Sequence, residues 1–161
     1  MMKVVVVLLS ALVAAPAVAA SKTTGSVGVN YSVDSVFGIQ GEFDISSMTN
    51  KAPVSAQVFL KNYSQNIAPG VSWGTTGVGV AAIYDFNSLA KLDKKIHPYA
   101  GLGLIAVTYR WKGVGPKWGY TGVGSGLYVT GGVRYVLTPQ VEADLNYNDF
   151  GGLTFGANFK F

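Results

Sequence analysis

The chain has 161 residues, enough for one domain, and only 12% of them are charged, against roughly 25% in soluble domains. Apolar residues reach 49% and there are 21 glycines, so much of the surface is not built for water and long helices are disfavoured. The net charge of +4 comes without a dense Lys/Arg tract, which sets nucleic acid aside, and the lack of cysteine removes disulfides, thiolate metal sites and thiol nucleophiles.

Residues 1–20 read as a cleavable signal peptide. Met1–Lys3 give a positive start, Val4–Val13 an apolar run broken by Ser10, and Ala17 with Ala19 or Ala20 the small residues that a leader peptidase needs. The apolar core is shorter than the roughly 20 residues of a spanning helix, so cleavage near Ala20–Ser21 is expected, leaving a single domain over 21–161. The best later candidate for a spanning helix, Pro98–Tyr109, is too short and carries Gly101 and Gly103. A membrane life would therefore demand a closed β-barrel, because open sheet edges cannot be satisfied in hydrocarbon.

Period-two alternation recurs along the rest of the chain. Thr24–Val33 sets Val27, Val29, Tyr31 and Val33 on one face. Phe37–Ile45 opposes Phe37, Ile39, Gly41, Phe43 and Ile45 to Gln40, Glu42 and Asp44. Val54–Tyr63 groups Val54, Ala56, Val58 and Leu60, and Ser72–Phe86 groups Val78, Val80, Ala82 and Tyr84. Ile96–Trp111 and Gly119–Leu137 are long and rich in glycine, with Leu102, Leu104 and Ala106, then Val129, Val133 and Tyr135, as outward sets. Val141–Asn148 opposes Val141, Ala143, Leu145 and Tyr147 to Glu142, Asp144, Asn146 and Asn148. Leu153–Phe161 closes with Leu153, Phe155, Ala157, Phe159 and Phe161 together.

Turn signals separate these runs, which makes eight strands. Each has about 17 residues for itself and its connection, against the roughly 9–11 a spanning strand needs.

Alternation alone does not say which face is outside. The polar face is poor in charge and rich in Gly, Ser, Thr and Asn, which suits a narrow lumen better than a wetted exterior. Aromatic residues gather toward strand ends, among them Tyr31, Phe37, Tyr63, Trp73, Tyr99, Tyr109, Trp111, Tyr120, Tyr135 and Tyr147, as two interfacial girdles would require. The expected fold is an all-β, eight-stranded antiparallel up-and-down transmembrane barrel. A soluble lipocalin-like barrel is the inside-out alternative.

The leader, the eight glycine-rich strands and the terminal Asn158-Phe159-Lys160-Phe161 resemble the small outer-membrane barrels of Gram-negative bacteria. The group is that of the OmpA transmembrane domain, the opacity proteins and the outer membrane protein β-barrel domain. The likeness spans 21–161 and includes the run Pro98-Tyr99-Ala100-Gly101-Leu102-Gly103. It implies residence in the outer membrane after export, and it makes Phe159 and Phe161 a recognition signal for the barrel-assembly machinery. One feature departs from the family: with both termini in the periplasm, the connections near Asp34 and Asp149 face outward and are very short, while Asn87–Lys95 faces the periplasm. That speaks against an adhesin or antigen-like role.

Three groups of residues carry candidate chemistry. Glu42, Asp44, Lys61, Arg134, Glu142, Asp144 and Lys160 lie on polar faces, where they either line a pore or form a paired network that plugs the lumen. The plug is the preferred reading. Arg110, Trp111, Lys112, Lys117 and Trp118 cluster around an outward loop, either gripping lipopolysaccharide phosphates or serving as solvated charges beside girdle tryptophans. His97 is the only histidine, and with no neighbouring serine it reads as an interfacial or turn residue rather than part of an acyl-transfer site. No catalytic residue, metal or cofactor is expected. The expected function is a non-enzymatic barrel with a largely plugged lumen, structural or lipid-contacting in the envelope. A narrow porin-like channel and a lipid A-modifying enzyme are the alternatives. Expected partners are outer-membrane lipid, lipopolysaccharide and the assembly machinery, around a monomer.

Overall fold

The computed structural model describes residues 24–90, 92–113 and 119–161; the expected signal peptide lies outside them. Eight strands run β1 Gly25–Ser32, β2 Val36–Asp44, β3 Val54–Ala68, β4 Val71–Asp85, β5 Ile96–Lys112, β6 Gly119–Thr138, β7 Val141–Asn148 and β8 Gly152–Lys160. Each pairs antiparallel with the next, and β1 closes on β8 from Ser26↔Lys160 to Ser32↔Thr154. Closure leaves no strand edge within the ring, which the period-two pattern alone could only suggest.

The apolar rows face outward. Val29, Phe37, Val80, Leu102, Val129, Leu145 and Phe155 are all exposed, while Asn30, Gln40, Glu42, Asp144, Asn146 and Asn158 from the alternate positions are buried inside. No helix among the described residues is long and apolar enough to cross a membrane, so the belt of exposed side chains on the strands is the spanning surface.

Two departures from the expected layout matter for the site. First, β3 continues past Tyr63 to Ala68, because Ser64, Gln65 and Asn66 keep pairing with Gly74, Trp73 and Ser72 of β4. The chain reverses at Pro69-Gly70, where Gly70 takes φ 79°, a conformation open to glycine after a proline-led turn. Second, the strands fall into two length classes. β1, β2, β7 and β8 have 8, 9, 8 and 9 residues, whereas β3 to β6 have 15, 15, 17 and 20. β2 pairs no further than Val36↔Tyr63 and β7 no further than Asn148↔Thr130. β3 to β6 thus rise past their neighbours as a four-stranded wall at the end of the barrel away from the termini.

The lumen is divided lengthwise. Strands β1, β2, β7 and β8 send in polar side chains such as Asn30, Gln40, Asn146 and Asn158, while β3 to β6 send in Phe59, Ile83, Tyr99, Ile105, Val107 and Tyr128. The apolar half sits opposite glycines: a methyl group on Gly79 would lie 2.4 Å from the Phe59 ring, so glycine there makes the room that Phe59 fills. Sequence reasoning expected a polar lumen throughout and missed this half.

The outward assignment makes a direct prediction. Leu102→Arg, in the middle of the exposed row of β5, should lower the unfolding free energy in lipid vesicles by about 2–4 kcal/mol. Gly126→Ser, facing a lumen position with nothing within 4 Å of its added carbon, should change it little. Urea titration followed by tryptophan fluorescence reads both.

Candidate functional site

The charged residues of the lumen meet, with two exceptions, Lys61 and Asp44. Arg134 on β6 reaches across to Glu42 on β2 in a fork, Nη1 donating to Oε1 at 2.8 Å and Nη2 to Oε2 at 2.6 Å. Ser55 donates a hydroxyl proton to the same Glu42 Oε1, and the guanidinium carbon stands 4.3 Å from the centre of the Tyr99 ring. Tyr99 donates to Asp144 at 2.9 Å, and Asn146 also donates to Asp144, at 3.1 Å. Asn148 carries the chain on, donating to Asn146 at 3.1 Å and to Thr154 at 3.0 Å. Lys160 pairs with the buried Glu142 near the mouth on the terminal side.

Lys61 has no carboxylate within ion-pair distance, although Asp149 and Asp144 act on its charge from further off. Its ammonium donates to the Tyr128 hydroxyl at 3.0 Å and lies 5.0 Å from the Tyr128 ring and 5.7 Å from that of Phe59. Those two rings pack at 4.2 Å between centroids. A buried cation beside two aromatic rings and a hydroxyl is tolerable because the ring quadrupoles help to stabilise it, together with the field of Asp149 and Asp144. Asp44, by contrast, does not join the network. It is exposed and accepts the Ser46 amide at 2.7 Å, starting the single 3-10 turn Ser46–Met48 that follows β2. A carboxylate next to a strand end serves the turn as readily as the lumen, and here the turn holds it.

The outer cluster is split by strand geometry. Trp111 points to the concave, lumen-side face of the wall, where it pairs with Trp73 at 6.4 Å with the ring planes at 74°. Arg110 and Lys112, its sequence neighbours, occupy the convex face, since successive side chains of a strand take opposite sides. Lys117 and Trp118 lie outside the described residues. Tyr63, Trp73, Tyr99, Tyr109 and Tyr120 likewise sit on inward positions, so only part of the expected aromatic girdle is on the lipid side. Tyr31, Phe37, Tyr135, Tyr147, Phe159 and Phe161 are on it, each between 45% and 56% exposed except Tyr147 at 66%.

At the other end, His97 holds a connection together. Its Nδ1 meets the Asp85 carboxylate at 2.8 Å and its Nε2 the Lys94 carbonyl at 3.0 Å. Asn87 donates to the carbonyls of Asp93 and Ile96. Both ring nitrogens are thereby committed to the β4–β5 connection rather than to a hydroxyl nucleophile. Among the described residues no group of three or more His, Asp or Glu is placed to hold a metal ion.

An apolar exterior on a closed ring of eight antiparallel strands defines a small outer-membrane β-barrel. The chain belongs to the outer membrane protein beta-barrel domain family, whose model matches residues 5–160. It is accordingly a protein of the bacterial outer membrane. Its fold is similar to that of neisserial surface protein A, NspA, with a TM-score of 0.61 and 22% identity over 86% of this chain and 94% of that one. The N-terminal barrel domain of Pseudomonas aeruginosa OprF is similar at 0.58 and 13%, covering 86% and 96%. Ail of Yersinia pestis, solved in complex with the heparin analogue sucrose octasulfate, is similar at 0.52 and 10%, covering 86% and 95%. No curated protein matches the sequence.

Breaking the cross-lumen fork should be costly. Arg134→Met leaves Glu42 buried without its partner and should reduce stability by about 3–5 kcal/mol, whereas Arg134→Met combined with Glu42→Gln should recover much of the loss. Equilibrium unfolding of the two single variants and the double variant measures the coupling.

Proposed function

We propose that the chain is a non-conducting, non-enzymatic barrel that serves the envelope as a structural or lipid-contacting element. One observation carries this reading. The lumen is crossed at one level by the Arg134–Glu42 fork and filled at another by Phe59, Tyr128 and Ile83, each no more than 2% exposed. Charges paired in the interior resist separation, and an eight-stranded ring leaves room for little beyond side chains.

The lipid side supports contact with the bilayer and its headgroups. Arg110 and Lys112 stand on the convex face just beyond Leu104 and Ala106, where cations would meet lipopolysaccharide phosphates. Trp111 is withdrawn from that contact by its orientation. Phe159 and Phe161, exposed on the last strand, are placed to be read by the assembly machinery.

Single-channel recording in planar bilayers should show no discrete steps for the native chain, and steps should appear when Phe59→Gly and Tyr128→Ala are combined. Conductance steps from the native chain would favour a narrow channel and remove the plug. For enzymatic action the readout is lipid A mass spectrometry. Acyl composition should be the same in cells carrying the native chain, the His97→Gln variant or neither, and a native-specific change would overturn the non-enzymatic reading.

A further inference from the structure

The wall formed by β3 to β6 inverts the polarity of the barrel below it. Within the belt, β5 turns Leu102 and Leu104 outward and Gly101 and Gly103 inward. Beyond Ala106 the same strand turns Thr108, Arg110 and Lys112 outward and Val107, Tyr109 and Trp111 inward, with no bulge in its pairing to either neighbour. The other three strands agree. Asn62 and Ser64 of β3, Gly74 and Thr76 of β4 and Thr121 of β6 are convex, while Tyr63, Trp73 and Tyr120 are concave; Val123 is the large apolar exception on the convex side.

The cross-strand register stacks the concave residues in rows. Gln65, Trp73, Trp111 and Tyr120 form one row, and Tyr63, Thr75, Tyr109 and Gly122 the row beneath. Beneath these, Phe150 from the β7–β8 turn packs on the apolar cluster as a floor. The result is an open vestibule of about 820 Å3, adjoining an aromatic recess of about 410 Å3 through Trp73 and Tyr109. Both volumes fall within the roughly 300–1,000 Å3 of small-molecule sites.

Side-chain hydrogen bonds anchor two of the rings. Trp73 donates its indole proton to Thr75 at 2.9 Å, and Tyr63 donates its hydroxyl to Gln65. Tyr120 lies over Gly122, where an added carbon would come within 3.0 Å of the ring, and a carbon added at Gly124 would come within 3.5 Å of the Tyr109 ring. Trp73, Tyr109, Trp111 and Tyr120 nonetheless remain 42%, 41%, 41% and 69% exposed. Asp34 and Asp149 rise from the short turns on the facing rim.

We propose that this vestibule binds an uncharged oligosaccharide. A pyranose ring offers one face of C–H groups, which the negative face of an indole or phenol attracts, and an edge of hydroxyls, which carboxylates and amides hold. Aromatic rows beside Asp34, Asp149 and Gln65 present both halves of that chemistry. An alkyl chain would use the rings and leave the acids and amide unmatched. A polyanion would meet the carboxylates of Asp34 and Asp149 in the vestibule, against a single described cation, Arg110, bordering the adjoining recess. The site stands above the plug and is independent of whether the lumen conducts.

The test uses the whole mature chain in lipid nanodiscs free of sugar-headed detergent. Maltotriose, cellotriose and chitotriose are titrated while the indole N–H resonances of Trp73 and Trp111 are followed by NMR, with sucrose octasulfate and decanoate as comparison probes. Saturable shifts with at least one neutral trisaccharide are expected. Trp73→Ala or Trp111→Ala should weaken the binding about tenfold, the loss of one aromatic anchor. Gly122→Val, which lifts Tyr120 off the wall, should also weaken it, and Asp34→Asn with Asp149→Asn should weaken it without disturbing the indoles of the free protein. A folded, heat-modifiable band in each variant confirms that the barrel is intact. Absence of saturable shifts with all three trisaccharides overturns the proposal. So does preferential binding of decanoate or of the sulfated sugar.

Discussion

Inside a bilayer each unpaired backbone amide or carbonyl costs several kcal/mol, and a sheet has one at every second position of each open edge. The pairing of β1 with β8 removes that cost within the belt, and the rest of the architecture follows from it. Eight strands in a ring fix a circumference, the circumference fixes a lumen little wider than facing side chains, and every inward residue must then fit its opposite numbers. The seam is lined by Gly28, Asn30, Gly156 and Asn158, all small or amide-bearing, so the bulk needed to fill the interior comes from the far side, where Phe59, Ile105 and Tyr128 enter.

That lengthwise division decides how charge is tolerated. On the polar half, Glu42 accepts from both Arg134 and Ser55, and Asp144 accepts from both Tyr99 and Asn146, so each of these two carboxylates has more than one donor. Multiple donors satisfy the lone pairs that a single cation would leave open, which is the condition under which a buried carboxylate survives. On the apolar half Lys61 meets a different condition, its charge spread over two ring faces and one hydroxyl. The network is therefore a set of local solutions bridged by Tyr99 rather than a single run of ion pairs.

Strand number, outward rows and most strand starts were legible in the sequence because they depend on local chemistry: Val27, Val29 and Tyr31 alternate, and Thr138-Pro139 breaks the run that precedes β7. Partners were not legible, because pairing Arg134 with Glu42 needs the register of strands 92 residues apart. Asp44 illustrates the same limit. It shares parity with Glu42 along β2, yet one step further it stands at the open mouth of the lumen and accepts the Ser46 amide of a turn. Residues such as Phe59 and Tyr128 broke the expected parity, and in a strand whose outer face is lipid an out-of-phase aromatic signals an apolar filling for the lumen.

The same parity carries a boundary mark. Along β5 the apolar positions are even through Leu102, Leu104 and Ala106 and then odd through Val107, Tyr109 and Trp111. A register slip would move apolar side chains from one face to the other in this way, but the ladder to β4 and β6 is continuous across the change, so the strand has kept its faces and only its surroundings have changed. Below the change the outer face meets lipid. Above it the outer face carries Thr108, Arg110 and Lys112, side chains suited to headgroups and water, and the apolar residues have moved to the sheltered side. Because β3 and β6 switch in the same sense, from Leu60 to Tyr63 and from Leu127 to Tyr120, the change belongs to the wall as a whole. An aromatic face retained on an open concavity, where neither lipid nor the protein core covers it, is under no structural demand to be there. Its presence on four adjoining strands is what separates the wall from a mere extension of the barrel.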